Sequence, residues 1–169
     1  MGVEFKMPDK IDWAALIRAY PDDVLLHVDS PVSEVVRSAR SRMAYLATPY
    51  SKEVLNDDGR WDRALSLDVE MRTARWARLF ARDGLTVVSP ILQACAIVHA
   101  DTEGDIDPMD DHFWSAWCMP LMSVSASFII PPMEGWDRSW GVWREACWAL
   151  WHNIPVYLIR PGSEFGGGA

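Results

Sequence analysis

MAYLATPYS, residues 43–51, passes from a buried strand into a turn within one short stretch. Met43–Ala47 is a continuous apolar run, the pattern of a strand covered on both faces. Thr48-Pro49-Tyr50-Ser51 stops it with turn chemistry. Downstream, Leu65–Asp83 has helical spacing. Val69, Thr73, Trp76, Ala77 and Phe80 share one face, and Arg72, Arg75, Arg78 and Arg82 occupy the other sides. Gly84 follows as the expected C-terminal cap. Leu85–Val88 is the next buried strand, ended by Ser89-Pro90. Strand, helix, strand in this order is the unit of a parallel sheet with right-handed crossovers.

The alternation continues. Ser125–Ile130 reads as a strand ending at Pro131-Pro132, Trp140–His152 as a helix with Ser139 as its N-cap, and Pro155–Ile159 as a final strand. The expected fold is therefore α/β, a doubly wound parallel sheet of the Rossmann or flavodoxin-like kind with helices on both faces. Ligands of such sheets bind beyond the carboxyl ends of the strands. The loops Thr48–Lys52, Ser89–Gln93 and Pro131–Ser139 should converge there. Residues 1–42 read as an extension packed on the domain, with helices at Ile11–Tyr20 and Ser33–Arg42 and a short strand at Val24–Val28. The domain spans 43–161, and 162–169 (GSEFGGGA) reads as a flexible tail.

A chain of 169 residues suffices for one sizeable core. The net charge of −8 disfavours duplex nucleic acid, whose binding needs a cationic surface. Cys95, Cys118 and Cys147 are an odd number at unrelated spacings and read as reduced thiols. The opening MGVEFKMPDK lacks the apolar run of a signal peptide, and no stretch reaches transmembrane length. A cytoplasmic protein with no membrane partner is expected. Of ten tryptophans, Trp136, Trp140, Trp143, Trp148 and Trp151 crowd into one stretch. They read as core and subunit interface before ligand contacts, which implies a homo-oligomer.

The chemistry concentrates in Gly135–Ala149, GWDRSWGVWREACWA. Ser139 caps a helix whose free N–H groups favour anions, and Gly141 permits close approach to the backbone. Glu145 stands among Val142, Ala146 and tryptophans. A carboxylate so placed is either a partner of Arg138 or Arg144, or a functional group. Tyr45 lies in the first buried strand and Tyr50 in the loop after it, both within reach of the same crevice.

AYLATPYS, VVSPI, FWSAWC-x-x-LM, SFII and GW-x-x-S-x-G-V-x-x-E-x-x-x-A, in that order over residues 43 to about 160, resemble the nucleoside 2-deoxyribosyltransferase-like superfamily, and most closely its DUF1937 branch. The S-x-G-V-x-x-E segment is also similar to that of the deoxyribonucleoside 5′-monophosphate N-glycosidases. The resemblance implies cleavage of the N-glycosidic bond of a nucleoside or nucleotide, without metal or cofactor. Glu145 would attack C1′ and form a glycosyl-enzyme ester, and Tyr45 would orient it. Water as acceptor makes a hydrolase, a second base a transferase. Pro49, Tyr50, Ser51, Ser139 and Gly141 would hold a 5′-phosphate, and Thr48, Gln93, Cys118 and Asp137 complete the implied substrate-binding set. Two positions depart from the pattern. Cys118 stands where relatives carry an aspartate that aids the departing base, so either Asp111, about two helical turns upstream, supplies the carboxylate, or a different base is cleaved, or activity is lost. Gln93 replaces a histidine and offers a paired donor and acceptor for a base edge.

Two other readings compete. A catalytically altered nucleotide-binding or assembly protein on the same fold accommodates the missing aspartate. Zinc held by Cys95, His99, His112 and Cys118 matches no usual ligand spacing. The acidic run Asp101–Asp111 reads as a solvated loop and lacks the arrangement of an EF-hand. Nicotinamide or flavin chemistry is disfavoured because no G-x-G-x-x-G follows a strand.

Overall fold

A computed structural model describes residues 7–22 and 24–163, so the expected tail lies outside them from residue 164 onward. Five strands form one all-parallel sheet: β1 (Leu26–Ser30), β2 (Ala44–Leu46), β3 (Val87–Val88), β4 (Ser127–Ile130) and β5 (Val156–Ile159). Their order is β1-β5-β4-β2-β3. Among the described residues the helices are α1 (Trp13–Ala19), α2 (Val32–Ala39), α3 (Arg63–Arg82), α4 (Pro90–Ala100), α5 (Asp111–Val124) and α6 (Trp140–Trp151).

Alternation along the strands builds two cores, because successive strand side chains point to opposite faces. Ala44, Leu46, Ile129, Tyr157 and Ile159 meet α2 and α3 through Val35, Val36, Trp76, Leu79 and Phe80. Tyr45, Phe128, Ile130, Val156 and Leu158 meet α6 through Val142, Ala146, Ala149 and Leu150, with Met122 of α5 and Trp13, Leu16 and Ile17 of α1 beside them. The sheet is thus doubly wound. Residues before 43 do more than pack on it. β1 pairs with β5 and forms one edge.

Local signals set the helix ends. Gly84 takes φ +84°, and the N–H groups of Gly84 and Leu85 return to Ala81 and Phe80 carbonyls, closing α3 with the left-handed cap the sequence announces. The Ser139 side chain accepts the Val142 N–H at 3.4 Å and starts α6. Helices α4 and α5 were not apparent as periodic patterns, since both are apolar on most sides. Ser89 and Asp110 cap them.

The connection leaving β2 runs to one face through α3, and that leaving β4 runs to the other through α6. These strands are neighbours, so their outgoing loops diverge and leave a crevice at the switch point.

Candidate active site

Glu145 lies on the stripe of α6 that faces the sheet, one turn from Val142 and Ala149 and next to Ala146. Three of those positions are buried and apolar; the fourth is a carboxylate. Tyr45 of β2 is fully buried and stacked on Phe128, with ring centroids 4.6 Å apart. Its hydroxyl donates to Glu145 Oε1 at 2.6 Å, a short, charge-assisted bond across 100 residues of chain.

The neighbours expected to neutralise Glu145 are engaged elsewhere. Arg144 Nη1 pairs with Asp111 Oδ2 at 3.2 Å, and Arg138 Nη2 pairs with Glu53 Oε1 at 3.2 Å. Burial pushes the Glu145 carboxyl up to about 7, and the Tyr45 hydrogen bond and the Arg144 charge limit the rise. Tyr45 is raised well above the usual phenol range by burial and then by the carboxylate beside it. Cys118 is pushed up to about 12 by burial and by Glu145, so it faces the site as a neutral thiol.

Glu145 lines a cleft into which several loops converge. Thr48, Tyr50 and Ser51 come to it from the β2 loop, Pro90 and Ile91 from the start of α4, and Ser139 and Gly141 from the start of α6. The three loops expected to converge do so. Asp111 and Cys118 line the same cleft from α5. Pro49 lines the adjoining recess with Ser51, Lys52, Ser139 and Gly141, at the N-terminus of α6. A Cβ on Gly141 would meet nothing nearer than Ser139 Oγ at 3.9 Å, so the backbone there is open to a ligand.

Two expected site residues lie elsewhere. Gln93 is exposed on α4. The cleft takes Ile91, Ala94 and Val98 from that helix, and Gln93 lies about 200° around the axis from Ile91. Asp137 is exposed in a 3₁₀ turn, where its carbonyl accepts the Trp13 indole N–H at 2.9 Å. It serves the turn and does not line the cleft.

Sequence reasoning missed part of the wall. Pro108, Met109, Trp114 and Ser115 complete it, so the end of the acidic run borders the site. Trp114 is held edge-on by Phe113 and Trp117, and its indole N–H donates to the Asp107 carbonyl at 3.1 Å. Its signal was aromatic residues flanking Asp111. The proposed zinc ligands separate. Cys95 and His99 both reach Ser66, Cys118 faces the cleft, and His112 is exposed. Among the described residues no three His, Cys, Asp or Glu side chains gather to hold a metal ion. Nor is any described helix long and apolar enough to cross a membrane.

Fold and site together define a doubly wound parallel α/β protein whose switch-point cleft presents a tyrosine-clamped glutamate. The family model described as "Domain of unknown function (DUF1937)" matches residues 42–160, most of the chain, and the protein belongs to that family. No curated protein and no solved structure matches it.

Proposed function

We propose that the protein cleaves the N-glycosidic bond of a 2′-deoxyribonucleoside or its 5′-monophosphate, using Glu145 as the nucleophile. The observation that carries this reading is the 2.6 Å hydrogen bond from Tyr45 to Glu145 at the floor of the cleft. It rests also on the motif order that resembles the nucleoside 2-deoxyribosyltransferase-like superfamily.

In the first step a Glu145 oxygen bonds to C1′ as the C1′–N bond breaks. The bonding pair leaves with the base, which takes a proton from water in the cleft; the water that attacks in the second step returns one to solvent. In the second step water, or the nitrogen of another base, attacks C1′ and releases Glu145. The transition state carries positive charge on the sugar, and an ionised carboxylate at bonding distance stabilises it. Tyr45 fixes which Glu145 oxygen is committed and leaves the other free. Asp111 and the Cys118 thiol stand on the α5 side as partners for the departing base. A 5′-phosphate would sit in the recess at the start of α6, lined by Ser51 and Lys52 and also by Glu53 and Asp111, whose carboxylates pair with Arg138 and Arg144.

Free base released from a panel of natural and modified deoxynucleosides and deoxynucleotides tests this. The wild type should release base from at least one member. Glu145→Gln should release none and still bind. No release from any member would refute catalysis.

One observation favours the second reading, a nucleotide-binding or assembly protein. Cys118 is a neutral thiol where relatives carry a carboxylate. Binding of a nucleotide without base release would establish it. Either reading includes a homo-oligomer. Of α5, apolar over most of its length, only Met122 is buried, and Phe113, Met119 and Val124 are exposed.

A further inference from the structure

Behind the cleft wall, away from Glu145, runs a polar chain that the mechanism above does not use. Trp61 Nε1 donates to the Tyr50 hydroxyl at 2.9 Å, and Tyr50 lies 2.9 Å from Ser66 Oγ. Ser66 Oγ lies 3.0 Å from His99 Nε2, and His99 Nδ1 lies 3.0 Å from Glu70 Oε2. Ser66 and Glu70 are one turn apart on α3, while His99 comes from α4, which packs on it. Serine, histidine and glutamate are the components of a nucleophilic triad, but Ser66 is 0% exposed and no substrate reaches it.

For a neutral imidazole, the two ends fix the direction of the chain. An indole N–H only donates, and a carboxylate only accepts. Glu70 therefore takes the Nδ1 proton of His99. With the imidazole neutral, Nε2 is left as an acceptor, and Ser66 must donate to it. Ser66 then accepts from Tyr50, whose oxygen already accepts from Trp61. The one hydroxyl proton of Tyr50 points inward.

We propose that Ser66, His99 and Glu70 are positioning residues that lock Tyr50, so that it meets the ligand as a fixed aromatic wall and not as a hydrogen-bond donor. Tyr50 lines both the cleft and the recess at the start of α6. A ring without a free proton suits the flat face of a heterocyclic base or the sugar, and offers nothing to a phosphate. The anion is then left to the α6 N-terminus, Ser51 and Lys52. This revises Tyr50 from a phosphate ligand to a specificity wall, and it rests on the nucleotide reading only for the choice of probe.

Nuclear magnetic resonance of the ¹⁵N-labelled wild type tests the relay without any ligand. His99 should carry its proton on Nδ1 and none on Nε2; a proton on Nε2, with or without one on Nδ1, would overturn the proposal. Steady-state kinetics with the four common 2′-deoxyribonucleoside 5′-monophosphates, or binding to the Glu145→Gln protein if turnover is absent, tests its consequence. Ser66→Ala and Tyr50→Phe should each raise KM or Kd by about two- to tenfold, the worth of one net hydrogen bond, with kcat kept. The double variant should be no weaker than either alone. Additive losses, or a fall in kcat at constant KM, would overturn the proposal. If none of the four binds, the His99 tautomer alone decides the relay, and the nucleotide reading is decided by the wider panel.

Discussion

Tyr45 and Glu145 are 100 residues apart in the chain, and the hydrogen bond between them offsets part of the cost of burying the carboxylate. Because that bond favours the ionised carboxyl, Tyr45→Phe should raise the Glu145 pKa further above about 7. The acid limb of kcat/KM would then move to higher pH, with activity at its optimum reduced roughly tenfold or more. A pH–rate profile of the variant checks both. Stability carries the same signature. An acid whose folded pKa is raised from 4.5 to about 7 keeps its proton in the folded state while the unfolded chain has lost it. Stability therefore falls as pH rises through that window and stays lower above it. Glu145→Gln should remove the slope and stabilise the protein at pH 8 by on the order of 2 kcal/mol relative to wild type, with little change at pH 4. Thermal unfolding at the two pH values measures it. The residues alone left Glu145 an ion-pair partner or a functional group and Tyr45 most simply a core side chain; the resemblance singled both out. The sequence did not reveal that Arg138 and Arg144 turn to Glu53 and Asp111, because ion-pair choice depends on where the loops fold.

At the scale of elements, the start of α6 is held by a clamp between two loops. Gly135 has φ +84°, and a Cβ there would collide with the Glu53 carboxylate, which also pairs with Arg138. Lys52 Nζ donates to the Arg138 carbonyl at 3.3 Å. Gly135→Ala should lose roughly 1–2 kcal/mol by chemical denaturation, mainly left-handed backbone strain, with the Glu53 side chain swinging aside from its Arg138 pair. Adding Glu53→Ala should restore the part due to that displacement. Elements with one clear period were legible: α3 and α6 lie within a few residues of their sequence-based limits, and Gly84 and Ser139 act as the caps they resemble. The helices α4 and α5 were not, because PILQACAIVHA and DHFWSAWCMPLMSV are apolar around most of the circumference. Without a period there is no face to assign, which is why the wall formed by Trp114 was not foreseen; Gln93 was expected in the cleft because the resemblance sets it in a histidine's place. The Ser66–His99–Glu70 relay was invisible for a related reason. It needs α3 packed on α4, and spacing within either helix does not report that contact.

Across the whole molecule, strand order places the crevice between β2 and β4, the strands that carry Tyr45 and lead to Glu145. The β1 edge comes from the N-terminal segment, which the sequence presented as an accessory. The strand itself was expected, at Val24–Val28, but its tie to β5 depends on two distant segments meeting, which a local pattern does not encode. The exposed apolar residues of α5 belong to the same scale. If that face joins subunits, Val124→Arg, at a position already 66% exposed, should shift the wild-type oligomer toward monomer in light scattering without lowering the unfolding temperature of the fold itself. Wild-type protein that scatters only as monomer would remove the oligomer from the account.

The most direct test of the tyrosine-clamped nucleophile is mass spectrometry of protein rapidly quenched during reaction with a deoxynucleotide that yields free base. The account predicts one added 2-deoxyribosyl unit, bearing phosphate if the substrate does, on the peptide containing Glu145, and none in Glu145→Gln. Base release that persists in Glu145→Gln, or an adduct on any other residue, would contradict it.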